Sequence, residues 1–467
     1  MPRAGETLAR YPEVGLPPGA SMLQPYDHTP EYISTLADGT VKQLNPFSAT
    51  EVWTVPGRGN RPLGIPRGET RALEPAKVGA YCSFCERRYL ETPPEKSRII
   101  RNDDGGWETL YRLPAERLFD TVAEFRRIPN LFEILSYDYW HLNYGYTLPG
   151  RVASRRAAYL DSVAGRAHVL SVVEYKLRAS GRSDAEVAAM SDDEKIATAS
   201  AFFGGGHDLV VARRHYVDGA SDDGQLASSG TLTPEEHEQF VALTIASTRS
   251  LYELNRYARY VTVFQNWLKP AGASFDHLHK QLVAIDERGV RHEETLQRLR
   301  RNANIFNERA ANYASYKNLV IAENDHALMF AGFGHRYPTI EIYSKSEHSD
   351  PWEQSPEEVR AMSDLIHAAH AATGADVACN EEWHSRPIDV DLSMPWRVML
   401  KWRVSTLAGF EGATRIYVNT ISPLDLRDRV VDRLFRLRSE GRVAGSIRIA
   451  FEAECRPNSL RYNRVGR

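Results

Sequence analysis

The sequence predicts an α+β protein made of two tandem copies of one unit, antiparallel strands with packed helices, and a helical insertion in the first copy. Three observations carry this. The strand-like segment HDLVVARRH (207–215) leads to Thr233-Pro-Glu-Glu236, and TIEIYSKSEH (339–348) leads to Ser355-Pro-Glu-Glu358, a weak internal repeat. Between Val263 and Val283, two apolar runs flank a Gly-containing turn, the pattern of paired strands. Residues 151–200 are rich in Ala, Arg and Glu, with Ser191-Asp-Asp-Glu194 as a capping box, which favours helices.

Taken in order, residues 1–37 are rich in Pro and Gly and read as an extended arm. A first domain is expected over 38–300, with its insertion at about 151–200, and a second over 301–467. Val52 to Val55 reads as a strand, followed by a Gly-rich turn bearing Arg58 and Arg61. Cys82 and Cys85 form a C-x-x-C. Leu209 to Ala212 is a strand core with His215 just past its end. A helix is expected from Thr233 as N-cap, with Pro at the first position and acids in the first turn, to about Tyr257. Strands at 260–266 and 275–285 close the first copy. The second copy continues through Val377–Asn380 to Trp396–Lys401.

The chain has 467 residues, enough for two domains and a sizeable core. With 42% hydrophobic and 25% charged residues, its composition is that of an ordinary globular protein. A net charge of −3 argues against a broad nucleic-acid surface. No apolar run approaches the ~20 residues that span a bilayer, and the N-terminus lacks the apolar region of a signal peptide. A cytoplasmic protein without membrane partners is the expectation. Four cysteines do not make a disulfide framework. Cys379 and Cys455 read as small core residues, whereas the C-x-x-C offers half a zinc site or a redox dithiol. With no thioredoxin-like pattern around it, metal is favoured.

The chemistry concentrates in VFQNWLKPAGASFDHLHKQLV (263–283). On a strand over 275–285, His277, His279 and Gln281 share one face with Phe275, while Leu278 and Leu282 face the other way. Two imidazoles and an amide are costly to bury without partners. A solvated strand face and a simple metal-binding pair compete with a catalytic reading.

The order Asn266, Gly272, Ser274, His277, His279, Gln281 resembles the active-site segment of galactose-1-phosphate uridylyltransferases, of the histidine-triad superfamily, with Leu278 where that family has proline. Arg58-Gly-Asn-Arg61-Pro62 resembles its nucleotide-holding loop, and Phe125 to Phe132 (FRRIPNLF) resembles a short segment that in the family lies ahead of the sheet. The resemblance implies two histidine-triad-like units, the second degenerate because Met399-Leu400-Lys401 stands where histidines would be. It implies a nucleotidyltransferase working through a covalent nucleotidyl-His279. Gln281 and Ser274 would be donors to the phosphoryl group, and Arg58, Arg61, Asn266 and Gly272 would bind substrate. It further implies a structural zinc on Cys82, Cys85, His277 and a fourth ligand, His215 in preference to His141. The expected partners are a nucleotide sugar and a sugar phosphate or phosphate, and a homodimer is compatible with the resemblance. Asn419, where the family has glycine, and the missing glutamine near Arg427 put galactose in doubt. A histidine-triad-like hydrolase and a non-catalytic nucleotide-binding protein are the alternatives.

Overall fold

Most strands of the large sheet are buried on both faces, as in HDLVVA (207–212) and ALMFA (327–331), and only a few, such as Cys379–His384, alternate between buried and half-buried positions. The computed structural model describes residues 31–58, 69–405 and 407–463. The first three strands are β1 (Ile33–Thr35), β2 (Val41–Leu44) and β3 (Glu51–Thr54). Next come β4 (Ser97–Arg101), β5 (Trp107–Tyr111) and β6 (Phe125–Pro129). Helices occupy most of 137–204, among them Gly150–Asp161 and Val163–Ala179. Then follow β7 (His207–Ala212), the helix Pro234–Leu254, β8 (Tyr260–Trp267) and β9 (His279–Ile285). The later strands are β10 (Val320–Glu323), β11 (Ala327–Ala331), β12 (Thr339–Ser344), β13 (Cys379–His384) and β14 (Arg397–Trp402). The chain finishes with β15 (Ile416–Asn419) and β16 (Arg448–Ile449).

Twelve strands form one sheet in the order β16-β10-β11-β12-β14-β13-β8-β9-β7-β6-β4-β5, antiparallel at every junction. The seam is β8–β13, where Gln265 pairs with Glu381. A second sheet, β1-β2-β3-β15, joins the N-terminal strands to β15 through a parallel β3–β15 pair. Both junctions cross the expected boundary at residue 300. The small sheet sits against the large one at Gly334, whose φ is +66°. A Cβ there would come within 2.1 Å of the Asn45 nitrogen, so only glycine fits.

The helices Pro234–Leu254 and Pro356–Thr373 open as the sequence predicts. Thr233 and Ser355 cap them, each with a reciprocal glutamate and proline in the first turn. The first stops at Leu254, short of Tyr257. It buries Phe240, Thr244, Thr248 and Leu251, a stripe at helical spacing, against the sheet. Its buried Thr244, Ser247 and Thr248 hydroxyls donate to carbonyls four residues back, so none is left without a partner.

At the seam, on the helix-covered face, Glu381 is fully buried and accepts from Lys280, from His370 Nε2 at 2.6 Å and from the Trp383 indole. Burial alone would raise its pKa, but Lys280 and His370 outweigh it and hold the carboxylate well below the usual range.

Two expectations need correction. The 275–285 strand begins only at His279; residues 275–278 are irregular, because the left-handed turn at Gly272 brings the chain into its place between β8 and β7 late. Residues 125–129 do not precede the sheet but lie inside it as β6, between β4 and β7, all five buried. Among the described residues no helix is long and apolar enough to cross a membrane. Arg61 and most of the 1–37 arm lie outside the described residues.

Candidate active site and metal centre

Cys82 and Cys85 close a tight turn, in which the Cys85 N–H donates to the Cys82 carbonyl at 3.0 Å. His215 follows β7, and His277 stands just before β9. These three segments converge. Cys82 Sγ lies 3.8 Å from Cys85 Sγ and 3.4 Å from His277 Nδ1, and Cys85 Sγ lies 3.8 Å from both His215 Nδ1 and His277 Nδ1. All four donor atoms fall within 4.8 Å of one another. A tetrahedral zinc, with bonds of about 2.3 Å to sulfur and about 2.0 Å to nitrogen, sets its donors roughly 3.3–3.8 Å apart. The donor set and the spacing therefore fit that ion. The other His277 nitrogen, Nε2, donates to the Ala212 carbonyl at 2.7 Å, which turns Nδ1 towards the sulfurs. The Cys85 thiol is pushed down in pKa by its hydrogen bond with Cys82, helped by His215 and His277, which favours the thiolate a metal requires. His141 is elsewhere, on the helix Tyr137–Tyr144, with Nδ1 against the Tyr146 carbonyl at 2.9 Å.

His277 also serves its neighbour. His279 Nδ1–H donates to the His277 carbonyl at 2.7 Å, which fixes the tautomer and leaves Nε2 with its lone pair. Burial pulls the His279 pKa down to about 4, so the ring is neutral near pH 7. Only 6% of the residue is exposed. Phe84, from the C-x-x-C turn, sits with its ring centroid 5.3 Å from His279 and 4.7 Å from Phe275. The turn that carries the cysteines thus also walls the His279 ring.

Gln281 shares the face of His279, two residues on. Its orientation comes from β7. The Ile134 N–H donates to His207 Nδ1 at 3.2 Å, which places the ring proton on Nε2, and Nε2–H donates to Gln281 Oε1 at 3.2 Å. Asn130 Nδ2, 3.0 Å from the same Nε2, is a close neighbour rather than its acceptor. The Gln281 Oε1 is thereby engaged and its amide N–H groups are left for a ligand.

Continuing the β8–β9 register two residues beyond Phe264–Gln281 brings Asn266 across from His279. Asn266 Oδ1 accepts from Asn380 of β13 at 2.7 Å, and Asn380 Oδ1 in turn accepts from Arg403 at 2.7 Å. A cavity of about 220 Å³ opens beside Asn380, lined among others by Arg336, Lys401 and Arg403. Leu268 at φ +66° and Gly272 at φ +89° make the turn between β8 and β9, a strained backbone of the kind that gathers at functional sites. Ser274 is exposed on that turn. Arg58 is exposed past the end of β3 and forms no hydrogen bond with His279, Gln281, Asn266 or Ser274.

The structure thus brings together Cys82, Cys85, His215 and His277 as one cluster, and His279, Gln281 and Asn266 on one sheet face. Ser274 and Gly272 border that face, while Arg58 makes no hydrogen bond to its described residues. Two orienting residues escaped the sequence reading. His207 begins the HDLVVARRH run, where its i, i+2 alternation with Leu209 and Val211 was the available signal. Asn380 ends Val377–Asn380, and nothing local in the sequence pairs it with Asn266.

No curated protein matches the sequence. Among solved structures, an ADP-glucose phosphorylase from Arabidopsis thaliana with bound ADP-glucose is similar at a TM-score of 0.51. It is 18% identical, over 84% of this chain and 98% of that one. A GalT-like protein from Arabidopsis thaliana gives the same figures. At this identity the likeness establishes the fold: mixed α+β, with large antiparallel sheets and packed helices. The model of a family described as a domain of unknown function, DUF4921, matches residues 36–462, and the chain belongs to that family.

Proposed function

We propose that the chain is a nucleotidyltransferase of the galactose-1-phosphate uridylyltransferase type, transferring a nucleoside monophosphate through a covalent nucleotidyl-His279. The observation that carries this reading is the His279 tautomer: Nδ1 is tied to the His277 carbonyl, Nε2 is unprotonated, and burial keeps the ring neutral. A neutral imidazole is a competent nucleophile at phosphorus. The Nε2 lone pair attacks the α-phosphorus of a nucleoside diphosphate sugar, forming a P–N bond as the bond to the sugar-phosphate oxygen breaks. Sugar 1-phosphate leaves. An oxygen of phosphate, or of a second sugar 1-phosphate, then attacks the same phosphorus and releases His279. Gln281 and Asn266 donate amide hydrogens to the phosphoryl oxygens as charge builds up on them. Ser274 and the backbone at Gly272 add donors from the turn, and Arg58 and Arg61 hold the nucleotide phosphates.

The similarity to an ADP-glucose phosphorylase supports an ADP-sugar as donor and inorganic phosphate as acceptor. Cys82, Cys85, His215 and His277 would hold a zinc, which with four protein ligands is structural and clamps the Phe84 turn to the start of β9. The order of the large sheet, with β4 to β9 on one side of the seam and β10 to β14 and β16 on the other, supports two tandem histidine-triad-like units. In this reading the second unit is degenerate, the protein is cytoplasmic, and a homodimer is the oligomer to look for.

The test is to incubate the protein with α-labelled ADP-glucose or UDP-glucose and follow acid-labile, base-stable label on histidine. Stable label that phosphate or sugar 1-phosphate discharges supports the reading. Steady nucleotide release without acceptor points to a hydrolase, and neither outcome to a binding protein. The His279→Asn variant should carry no label and keep its fold.

A further inference from the structure

The sheet has a second charged site, on the face turned away from His279. Along β7, His207, Leu209 and Val211 face the Phe84 side, whereas Asp208, Val210 and Ala212 face the helix Pro234–Leu254. On that helix side lies a cavity of about 270 Å³, bounded by the ends of β4 and β5, by β6, by the helix Gly150–Asp161 and by the helix Pro234–Leu254. Five cationic side chains line it: Lys96, Arg112, Arg127, Arg151 and Arg155. Asp208 takes Lys96 at 2.6 Å and Arg127 at 2.6 Å, so one buried carboxylate serves two buried cations, which are 8% and 7% exposed. Glu253 is the one acid among the lining residues. Glu253 is already paired with Arg249 of its own helix at 3.0 Å, so Asp208 stands alone against the five cations and positive charge is in excess.

The surplus sits on identifiable atoms. Arg112 and Arg151 are exposed at the mouth and form no ion pair among the described residues. Arg112 holds φ +58°, a left-handed backbone that a bulky residue seldom adopts. Arg155 gives one nitrogen to the Glu95 carbonyl, and its Nε is buried without a partner. Burial, joined by repulsion from Arg112 and Arg127, pulls the Arg155 pKa down to about 10, and burial with Arg127 pulls Lys96 down to about 8. Crowded guanidinium groups that repel one another and lack donors' partners are stabilised by an anion brought among them.

We infer that this cavity binds a small phosphate-bearing anion, a diphosphate or a phosphate ester, on the reverse face of the sheet. Guanidinium forks match phosphate oxygens in two-point contacts, and Lys96 supplies a point charge at the floor. The enclosure between two helices and the sheet suits a small soluble molecule. A nucleic-acid strand would need an open basic groove, and the chain as a whole carries a net charge of −3. The inference is independent of the nucleotidyl-transfer reading, because none of these residues lies on the His279 face.

Inorganic pyrophosphate is the probe. Isothermal titration of the full-length protein is compared with Arg112→Ala/Arg151→Ala, whose residues are exposed and whose loss leaves the core intact, and with Arg58→Ala as a control beyond the other face. The expected result is loss of about tenfold or more in affinity of one binding event in the double variant. Arg58→Ala should keep that event, and both variants should keep the far-ultraviolet circular dichroism of the parent. Arg155→Met should weaken the same event from inside the cavity. Unchanged pyrophosphate affinity in both the double variant and Arg155→Met overturns the inference. So does a single binding event that Arg58→Ala removes and Arg112→Ala/Arg151→Ala spares.

Discussion

Replacing His207 with phenylalanine keeps the volume of a side chain that is 1% exposed and removes both of its hydrogen bonds. The Ile134 N–H loses its acceptor and Gln281 Oε1 loses its donor. Each unmade bond of this kind costs about 1–3 kcal/mol, less where water reaches the group. Ile134 is 64% exposed, so water can serve its N–H, and the net destabilisation should be near 1–2 kcal/mol. The effect on transfer is separate. With Oε1 released, the Gln281 amide turns freely, and misplacing one transition-state donor slows a reaction by about 10–100-fold. The assay is the rate of label attachment to His279 from α-labelled ADP-glucose, measured for His207→Phe, Gln281→Ala and the double variant. If His207 acts through Gln281, the double variant labels no more slowly than Gln281→Ala alone, a sub-additivity that general destabilisation does not produce. Additive losses, or wild-type labelling by His207→Phe beside a slow Gln281→Ala, would refute the orienting role.

Three further outcomes follow from the same contacts. Cys82→Ser should lose zinc measured by atomic emission and lower the melting temperature, since this ligand ties the turn at 82 to His277, 195 residues away; full metal content would exclude the ligand set. Lys280→Met leaves the Glu381 carboxylate buried without its ammonium partner and should cost about 3–5 kcal/mol in urea unfolding, with Lys280→Met/Glu381→Leu recovering much of it. His168 is locked neutral, with Nδ1 accepting from the Tyr159 hydroxyl at 2.7 Å and Nε2–H donating to the Thr92 carbonyl at 2.8 Å, and burial pulls its pKa from 6.5 to about 4. As pH falls below 6.5 the unfolded chain takes up this proton and the folded chain does not. Up to about 3 kcal/mol present above pH 6.5 is therefore lost on the way down to pH ~4. His168→Gln should flatten melting temperature against pH across that window, and an unchanged slope would count against the assignment.

Local signals reached the ends of elements and the identity of reactive groups. Thr233 and Ser355, each followed by Pro-Glu-Glu, mark helix starts because capping is decided within four residues. The C-x-x-C is legible because one turn fixes its spacing, and His279 with Gln281 because one strand does, whereas His277 stands just before that strand. The failures are of longer range. The start of β9 depends on how the Leu268–Gly272 turn delivers the chain to β8, which no window over 275–285 contains. Phe125–Pro129 is set ahead of the sheet by the resemblance alone, and its two arginines hide a buried strand. Their partners, Thr92 for Arg126 and Asp208 for Arg127, come from distant segments and make burial tolerable. Asn380 reaches Asn266 only across the seam.

β7 shows why such a sheet can hold chemistry on one face without disturbing the other. His207 points to Gln281 and Asp208, the next residue, points to Lys96 and Arg127; each group is satisfied by partners on its own side. A one-residue slip of β7 against β9 would turn the carboxylate to the face of Gln281 and aim the imidazole at two cations, exchanging satisfied contacts for unsatisfied ones on both faces at once. The buried ion pairs of the reverse face therefore specify the register that aims Gln281. On this argument Asp208→Asn, which weakens the hold on Lys96 and Arg127, should disturb Gln281 as well as lower stability. That coupling is measurable as a loss of labelling rate that persists at temperatures where circular dichroism shows the variant fully folded. A folded Asp208→Asn protein that labels His279 at the parental rate would separate the two faces and leave register to the apolar core alone.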